Sequence, residues 1–265
     1  MQTTKPKIKI THPDKLLYPE DKITKQDMVA YYHYIYKWIR PYIVNRPLTI
    51  VRCPNGYKKC FYQKHIVPST SSALHTITIK EKEGQGEYIY LNDEAGLITL
   101  AQMGILEIHP WGSTNAKIEY PDIIVFDLDP APDVSWEKIV EAAFNIKKHL
   151  TELKLQSFIK TTGGKGLHVV IPIKPKDNWQ AVKNFTHVFT DLLTMENPNH
   201  YINKMTKAKR KGKIFIDYLR NQRGATAVAP YSSRARLHAP VATPIHWDEL
   251  SNDIRDTFFY RKNLT

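Results

Sequence analysis

The sequence predicts an α/β protein in which helices pack on a β-sheet, and three observations predict it. In the second half, apolar runs typical of strands alternate with amphipathic stretches typical of helices, in the order strand–helix–strand–strand–helix–strand. Hydrophobic residues make up 42% of the 265 residues, enough for one large domain or two small ones. No apolar run reaches the ~18 residues of a membrane span, and no signal sequence opens the chain, so we expect a cytoplasmic protein.

The first half begins with a helix whose start is marked by a capping signature. Thr24 can cap this helix, and Asp27, three residues later, completes the pattern of Ser or Thr followed by an acid. Apolar side chains keep helical spacing as far as Trp38, and Pro41 is expected to end the helix. Residues 46–110 are predicted to form short strands and loops, except that the segment 94–111 is typical of a helix followed by a strand carrying His109.

The second half supplies the alternating elements. A strand at 122–127 precedes a helix at about 135–153. Two strands, 156–161 and 166–173, are joined by the sequence TGGK. A helix near 178–195 and the basic stretch 203–219 follow.

The charge balance indicates a polyanionic partner. The chain has 38 Lys and Arg against 26 Asp and Glu, for a net charge of +12. Nucleic acid or an anionic membrane would suit this excess, and a generally basic surface is the alternative. The two cysteines, Cys53 and Cys60, lack a zinc-type pairing with other Cys or His residues, so we expect free thiols.

The segment IIVFDLDPAP, residues 123–132, brings two aspartates to the end of a strand. Side chains alternate faces along a strand, so Asp127 and Asp129 point to one side while Leu128 faces the core. Two carboxylates this close repel each other unless a cation lies between them, and Mg²⁺ or Mn²⁺ prefers such oxygen ligands. A solvated turn at the end of the strand is the alternative.

A third aspartate strengthens the metal hypothesis. The segment GKIFIDYL places Asp217 in the middle of a predicted strand, where an unpaired charge is costly to bury. Three carboxylates that converge from two strands would suit a two-metal phosphoryl-transfer site.

A glycine-rich turn and an arginine-rich tail are candidate phosphate contacts. In TTGGKGLHVVIP, the glycines allow close backbone approach and Lys165 adds positive charge. The turn is not a Walker loop, because no Ser or Thr follows the Gly-Lys pair, and it could be a simple hairpin. His168 lies on the next strand, where a lone histidine is more often structural. The tail contributes Arg220, Arg223, Arg234 and Arg236, although a solvated basic face is the alternative.

Several long motifs, taken together, resemble the polymerase domain of bacterial and archaeal ligase D, a member of the archaeo-eukaryotic primase superfamily. They are HPDKLLYPEDKITK, FYQKH, EIHPWGS, FDLDP, TTGGKGLHVVIP and the run from KAKRKGKIFIDYL to HWDEL, and they extend from about residue 10 to 250. The resemblance implies one domain over 1–265. Its core would be of primase type, with a mixed, largely antiparallel sheet flanked by helices at about 111–250. An N-terminal α/β part at about 1–110 would pack against the core and bind DNA ends.

The same resemblance implies a nucleotidyltransferase of non-homologous end joining. It would be a DNA-directed DNA or RNA polymerase that fills gaps and extends ends, favours ribonucleotides over deoxyribonucleotides, and uses two Mn²⁺ or Mg²⁺ ions. The implied partners are DNA with gaps, overhangs or 5′-phosphorylated ends, a Ku-type protein and a DNA ligase, with no membrane.

Site residues follow from the motifs that match. Asp127, Asp129 and Asp217 would hold the metals. The nucleotide contacts would be His109, Thr162, Lys165, His168 and Arg234, with Thr162 where the family often has serine. The DNA contacts would be Lys15, Lys25, Phe61, Tyr62, Lys64, Arg210 and Arg220. Of these, Lys15 and Lys25 would hold the downstream 5′-phosphate, and Phe61 or Tyr62 would stack on a template base. Independently of the resemblance, Lys25 lies in the first turn of the capped helix, where free N–H groups and the helix dipole attract anions.

Three other functions remain as alternatives. A primase would start chains without a primer. A sugar transferase of the Asp-x-Asp type would turn over nucleotide sugars and has no use for the positive charge. A non-catalytic module would only bind DNA ends, which the three aspartates argue against. A primer-extension assay with Mn²⁺ separates these functions.

Overall fold

The computed structural model describes residues 8–65 and 71–254, which divide into two compact units. The first unit contains the described residues up to Trp111 together with Val228–Val241. The second contains Gly112–Ala227 and the described residues from Ala242 onward. The segment 228–241 therefore belongs to the first unit by its contacts, although in sequence it lies between the two parts of the second unit.

The first unit is built from a two-stranded sheet, a five-stranded sheet and two helices. Its elements are β1 (Leu16–Tyr18), β2 (Ile23–Thr24), α1 (Lys25–Ile43), β3 (Leu48–Arg52), β4 (Phe61–Gln63), β5 (His75–Lys80), β6 (Gln85–Tyr90), α2 (Glu94–Gln102) and β7 (Ile105–Pro110). The larger sheet has the order β4-β3-β6-β5, with β7 also paired antiparallel to β3. The strands and helix predicted over 46–111 are confirmed. Within that range, residues 66–70 lie outside the described residues.

Helix α1 begins as the sequence predicts and ends slightly later. The Asp27 N–H donates to Thr24 Oγ1 at 3.1 Å, and the Thr24 N–H donates to Asp27 Oδ2 at 2.9 Å, which is a complete capping box. The prediction that Pro41 ends the helix is wrong by two residues. A proline in the last turn removes only one hydrogen-bond donor, and the helix continues to Ile43, with the Val44 N–H bonded to Arg40 O.

The two cysteines form a disulfide, so the expectation of free thiols is wrong. The physical reason is strand pairing. Arg52 at the end of β3 pairs with Phe61 at the start of β4, so the next residues outward, Cys53 and Cys60, are brought together across the hairpin.

The second unit is a six-stranded sheet flanked by helices. Its elements are β8 (Ile123–Pro130), α3 (Trp136–Glu152), β9 (Phe158–Thr161), β10 (Leu167–Pro172), α4 (Trp179–Glu196), β11 (Tyr201–Ile202), β12 (Ile214–Asp217) and β13 (Pro244–Ile245). The strand order is β11-β12-β8-β10-β9-β13, and all pairs except β11–β12 are antiparallel. The predicted fold class, a mixed and largely antiparallel sheet with flanking helices, is confirmed.

One face of this sheet forms the core of the second unit. The alternate residues Phe126 and Leu128 of β8 are fully buried together with Ile146 of α3 and Phe189 of α4. Asp127 and Asp129, which alternate with these residues along β8, project from the opposite face. The hydrophobic pattern of β8 thus decides where its acids point.

Within residues 8–65 and 71–254, no helix is both long enough and apolar enough to cross a lipid bilayer.

Candidate active site and DNA-binding residues

A row of ionisable side chains crosses three strands of the second unit. Asp217 on β12 and His168 on β10 are each directly opposite Asp127 on β8. Directly opposite residues on antiparallel strands project from the same face. His168 Nε2 lies 3.4 Å from Asp127 Oδ1. Strand pairing therefore brings together three residues that are up to 90 positions apart (217 − 127).

Asp129 lies two residues after Asp127 on β8 and projects from the same face. Asp217 is the last residue of β12. Phe215 pairs with Asp129 in the sheet, so the two strands remain in register past Asp127. The prediction that Asp217 lies in mid-strand is wrong, because β12 ends at Asp217. Its Oδ1 accepts a hydrogen bond from the Leu219 N–H at 2.9 Å and caps the short 3₁₀ helix Tyr218–Asn221.

Two arginines form ion pairs with the three carboxylates. Arg220 Nε is 3.0 Å from Asp127 Oδ2 and 3.2 Å from Asp217 Oδ2. Arg210 Nη1 is 3.1 Å from Asp129 Oδ2, and its guanidinium covers the Phe215 ring at 3.8 Å. We predicted both arginines as DNA contacts, whereas the structure shows them paired with the acids. As they stand, no three His, Cys, Asp or Glu side chains within the described ranges form a metal-holding group.

The pKa values of the three carboxyl groups separate in opposite directions. Burial alone would raise the pKa of Asp127, but His168 and Arg220 outweigh burial and hold it well below its usual range. Burial and the negative charge of Asp127 raise the pKa of Asp129 and of Asp217. Burial, together with the charge of Asp127, thus disfavours the ionised forms of Asp129 and Asp217.

His168 is held neutral by its surroundings. Burial, followed by the charge of Lys160, lowers the pKa of His168 to about 4. Lys160 lies opposite His168 on β9, which extends the polar row to a fourth strand, and the sequence analysis missed it. Within the described part of the chain, His168 Nδ1 is buried without a hydrogen-bond partner. That nitrogen therefore keeps an unused hydrogen-bonding position.

The glycine-rich turn joins β9 and β10 beside this row. Thr162 Oγ1 donates to Gly166 O at 3.0 Å and accepts from the Gly164 N–H at 3.2 Å, so this hydroxyl shapes the turn itself. A Cβ at Gly166 would lie 1.9 Å from the backbone oxygen of Leu128, so only glycine fits there. Lys165 is exposed, and its positive charge partly offsets the rise in the pKa of Asp129.

The first unit carries a second polar cluster, centred on Glu107 of β7. This carboxylate is only 5% exposed and lies 2.8 Å from His109 Nε2, 3.0 Å from Arg234 Nε and 2.9 Å from the Ala235 N–H. The hydrogen bond with His109, followed by the charge of Arg234, outweighs burial and lowers the pKa of Glu107 to about 2. The structure thus joins two predicted nucleotide contacts, His109 and Arg234, through a residue that the sequence analysis missed.

The predicted aromatic and basic DNA contacts lie on or beside β4. Tyr62 is 70% exposed, with its ring 6.0 Å from that of His109, and Phe61 is 48% exposed. Lys64 pairs with Glu81 at 2.6 Å and lies 5.4 Å from the Tyr88 ring. Neighbouring residues of a strand face opposite sides, so only Tyr62 shares the face of His109.

Lys15 and Lys25 lie close enough to interact. Burial, followed by the positive charge of Lys15, lowers the pKa of Lys25. Lys25 Nζ donates to Thr11 O at 2.8 Å. The expectation of free N–H groups at this helix start is wrong, because the Lys25 N–H donates to Lys15 O and the Gln26 N–H donates to Pro13 O. The two ammonium groups, and not the helix backbone, are what could bind an anion there.

The four arginines of the tail are divided between the two units. Arg220 and Arg223 belong to the second unit, where Arg223 donates to Glu119 through Nε and Nη2. Arg234 and Arg236 belong to the first.

Asn221 is a further residue that the sequence analysis missed. Its buried side chain accepts from the Val125 N–H and donates to Val125 O, both at 2.8 Å, as a neighbouring strand would. It supports β8 two residues before Asp127. Its only sequence signal is its place four residues after Asp217, which no general pattern marks.

The two α/β units with mainly antiparallel sheets, and the acidic row on one of them, define a primase-polymerase domain. The chain belongs to the family described as LigD, primase-polymerase domain, whose model matches residues 24–265.

Relatives and a solved structure support this assignment. The chain is 33% identical over 246 residues to the multifunctional non-homologous end joining protein LigD of Pseudomonas aeruginosa, covering 92% of this chain and 29% of that protein. It is 34% identical to the protein of the same name from Mycolicibacterium smegmatis, over 93% of this chain and 33% of the relative. The chain thus spans about a third of the length of these relatives. The polymerase domain of Mycobacterium tuberculosis ligase D, solved in complex with DNA, superposes with a TM-score of 0.91 at 29% identity, covering 97% of this chain and 93% of that one.

Proposed function

We propose that this chain is a template-directed nucleotidyltransferase that extends primer 3′-ends at gaps and double-strand breaks in DNA. The observation that carries the proposal is the row Asp217–Asp127–His168, with Asp129 beside it, on the face of the sheet opposite the hydrophobic core. The relatives are end-joining proteins, and the solved neighbour is a polymerase domain bound to DNA. The net charge of +12 suits a nucleic-acid substrate.

In the proposed reaction, the primer 3′-oxygen bonds to the α-phosphorus of a nucleoside triphosphate, and the bond to the departing pyrophosphate breaks. Asp127, Asp129 and Asp217 are hard oxygen donors, which fit Mg²⁺ or Mn²⁺. Two such ions, when bound, would activate the attacking hydroxyl and offset negative charge on the transferring phosphate. The cation would compete with Arg210 and Arg220, which pair with the same carboxylates.

The other predicted residues have complementary tasks. Neutral His168 offers a buried nitrogen, and Lys165 offers an exposed ammonium group, to the nucleotide. Glu107 fixes the positions of His109 and Arg234, which suit the sugar and the triphosphate respectively. Tyr62 is the better candidate for stacking on a template base, since it is more exposed than Phe61 and shares the face of His109.

A primer-extension assay tests the catalytic part of the proposal. The wild type with Mn²⁺ should extend a primed template, and Asp127→Asn or Asp129→Asn should lower the rate at least ~1,000-fold, as expected when charge stabilisation of the transition state is lost. DNA binding should remain. Asp177→Asn, an exposed acid in a turn, is the matched control and should extend normally. Full extension by either site variant would refute the assignment, and product formed without a primer would favour a primase.

A 5′-phosphate at the downstream side of the gap is the proposed ligand of Lys15 and Lys25. The positive charge of Lys15 disfavours the charged form of Lys25, and an anion bound between them would offset this repulsion. Binding to gapped duplexes with and without this phosphate should differ, and Lys25→Ala should remove the difference. Equal affinity of the wild type for both duplexes would contradict the phosphate site. A Ku-type protein and a DNA ligase are proposed partners, because the motifs resemble an end-joining family and the relatives are named as end-joining proteins.

A further inference from the structure

A third polar residue lies beside the lysine pair, on a loop that none of the motifs marks. Residues 54–59 connect β3 to β4, and the Cys53–Cys60 disulfide closes this loop. Lys15 Nζ donates to Asn55 Oδ1 at 3.2 Å. Because the oxygen of this amide faces the lysine, its NH₂ group is the part that can donate to an anion.

The loop is fixed along the segment that carries Lys15. The Tyr57 N–H donates to Leu17 O at 2.9 Å, and the Tyr57 ring stacks on Tyr18 with centroids 5.2 Å apart. Gly56 has φ +89°, and a Cβ there would lie 3.2 Å from Leu17 O, so glycine permits this close approach. Asn55 thus reaches Lys15 because the whole loop follows β1.

We propose that Asn55 is a third ligand of the 5′-phosphate and that the Cys53–Cys60 disulfide holds Asn55 in place. The inference rests on the phosphate site proposed above. The ammonium groups of Lys15 and Lys25 supply charge, and the Asn55 amide supplies a directional donor. Two point charges attract any anion, whereas an added fixed donor selects the position of the phosphate oxygens.

The disulfide gives this arrangement a chemical control. Cys53 is fully buried and its N–H is bonded to Gly104 O at 2.7 Å, whereas Cys60 is partly exposed. The thiolate of a dithiol reductant attacks Cys60 Sγ, and Cys53 departs as a thiolate that takes up a proton. The second thiol of the reductant then displaces Cys60, so that the protein gains two thiols and the reductant becomes a disulfide. The end of the loop at Cys60 is then no longer tied to Cys53.

The first test compares the wild-type chain with Asn55→Ala. The probe is a gapped duplex with or without a downstream 5′-phosphate, and the quantity is the ratio of the two Kd values. Asn55→Ala should reduce this ratio roughly tenfold, the size expected for one hydrogen bond to a charged group. Asn92→Ala, an exposed asparagine of the same unit, is the matched control and should leave the ratio unchanged. A ratio in Asn55→Ala equal to that of the wild type overturns the proposal.

The second test changes the disulfide and not the ligand residue. Wild type reduced with dithiothreitol, with two thiols confirmed by alkylation and mass, should show a lower ratio than the oxidised protein. Reduction should have little further effect on Asn55→Ala, because both changes act on one contact. Cys60→Ser should behave as the reduced wild type; if it does not fold, the reduced wild type alone decides. Equal ratios before and after reduction overturn the role of the disulfide.

The two proposals fail in different ways. A wild type that binds both duplexes equally removes the phosphate site and this inference together. A wild type that prefers the phosphate, but is unaffected by Asn55→Ala and by reduction, removes this inference and leaves the phosphate site intact.

Discussion

Replacing Glu107 with Gln removes the single negative charge that the structure places between His109 and Arg234 while preserving the shape of the side chain. The size of the effect can be worked from the pKa of Glu107, which falls from 4.5 to about 2 on folding. At about 1.4 kcal/mol per pH unit, this difference corresponds to about 3 kcal/mol of stability. We therefore expect Glu107→Gln to lower the free energy of unfolding at pH 7 by about that amount.

The pH dependence gives a second, independent signature. The folded pKa of Glu107 lies below the unfolded value, so the stabilisation is fully present above about pH 4.5 and is lost as the pH falls toward 2. Wild type and Glu107→Gln should therefore differ most at neutral pH and converge in acid. Urea unfolding at a series of pH values measures this difference directly.

Glu119→Gln is the matched control, because Glu119 also pairs with an arginine, Arg223, but at an exposed position. Such surface pairs contribute about 1 kcal/mol or less. The reasoning is refuted if Glu107→Gln unfolds at the wild-type urea concentration at pH 7. It is also refuted if the gap between the two proteins stays constant down to pH 2.

Three further substitutions test other parts of the structure. Gly166→Ala should abolish extension and cost several kcal/mol, since its Cβ would overlap Leu128 O; a wild-type urea midpoint would contradict the close approach. Asn221→Ala leaves two buried backbone groups of β8 without partners and should cost roughly 2–4 kcal/mol in urea unfolding, so a loss below about 1 kcal/mol would count against it. Tyr62→Leu should slow templated extension roughly tenfold or more, and Phe61→Leu should slow it less; the reverse order would assign stacking to Phe61.

The sequence was sufficient to predict side-chain positions wherever they depend only on the local periodicity of a strand or helix. In β8, alternation alone places Asp127 and Asp129 on one face and buries Leu128, and the structure has this arrangement. In α1, a spacing of three residues is enough to form the capping box of Thr24 and Asp27. These features depend on contacts between residues that are near neighbours in the chain.

Contacts between distant residues were decided only by the tertiary structure. Asp217 meets Asp127 because β12 pairs with β8 in one register, and a shift of one residue would have turned it to the other face. Glu107 reaches Arg234 because the segment 228–241 returns to the first unit.

Two of the wrong expectations, the free N–H groups of α1 and the free thiols, have the same origin. The N–H groups at the start of α1 are bonded to Pro13 and Lys15 backbone oxygens, and Cys53 meets Cys60 across a hairpin. The sequence thus determined which side chains share a face of an element, because that follows from backbone periodicity. The tertiary structure decided which faces and loops meet. These contacts depend on strand register and on where the segment 228–241 packs, and both require the whole unit to fold.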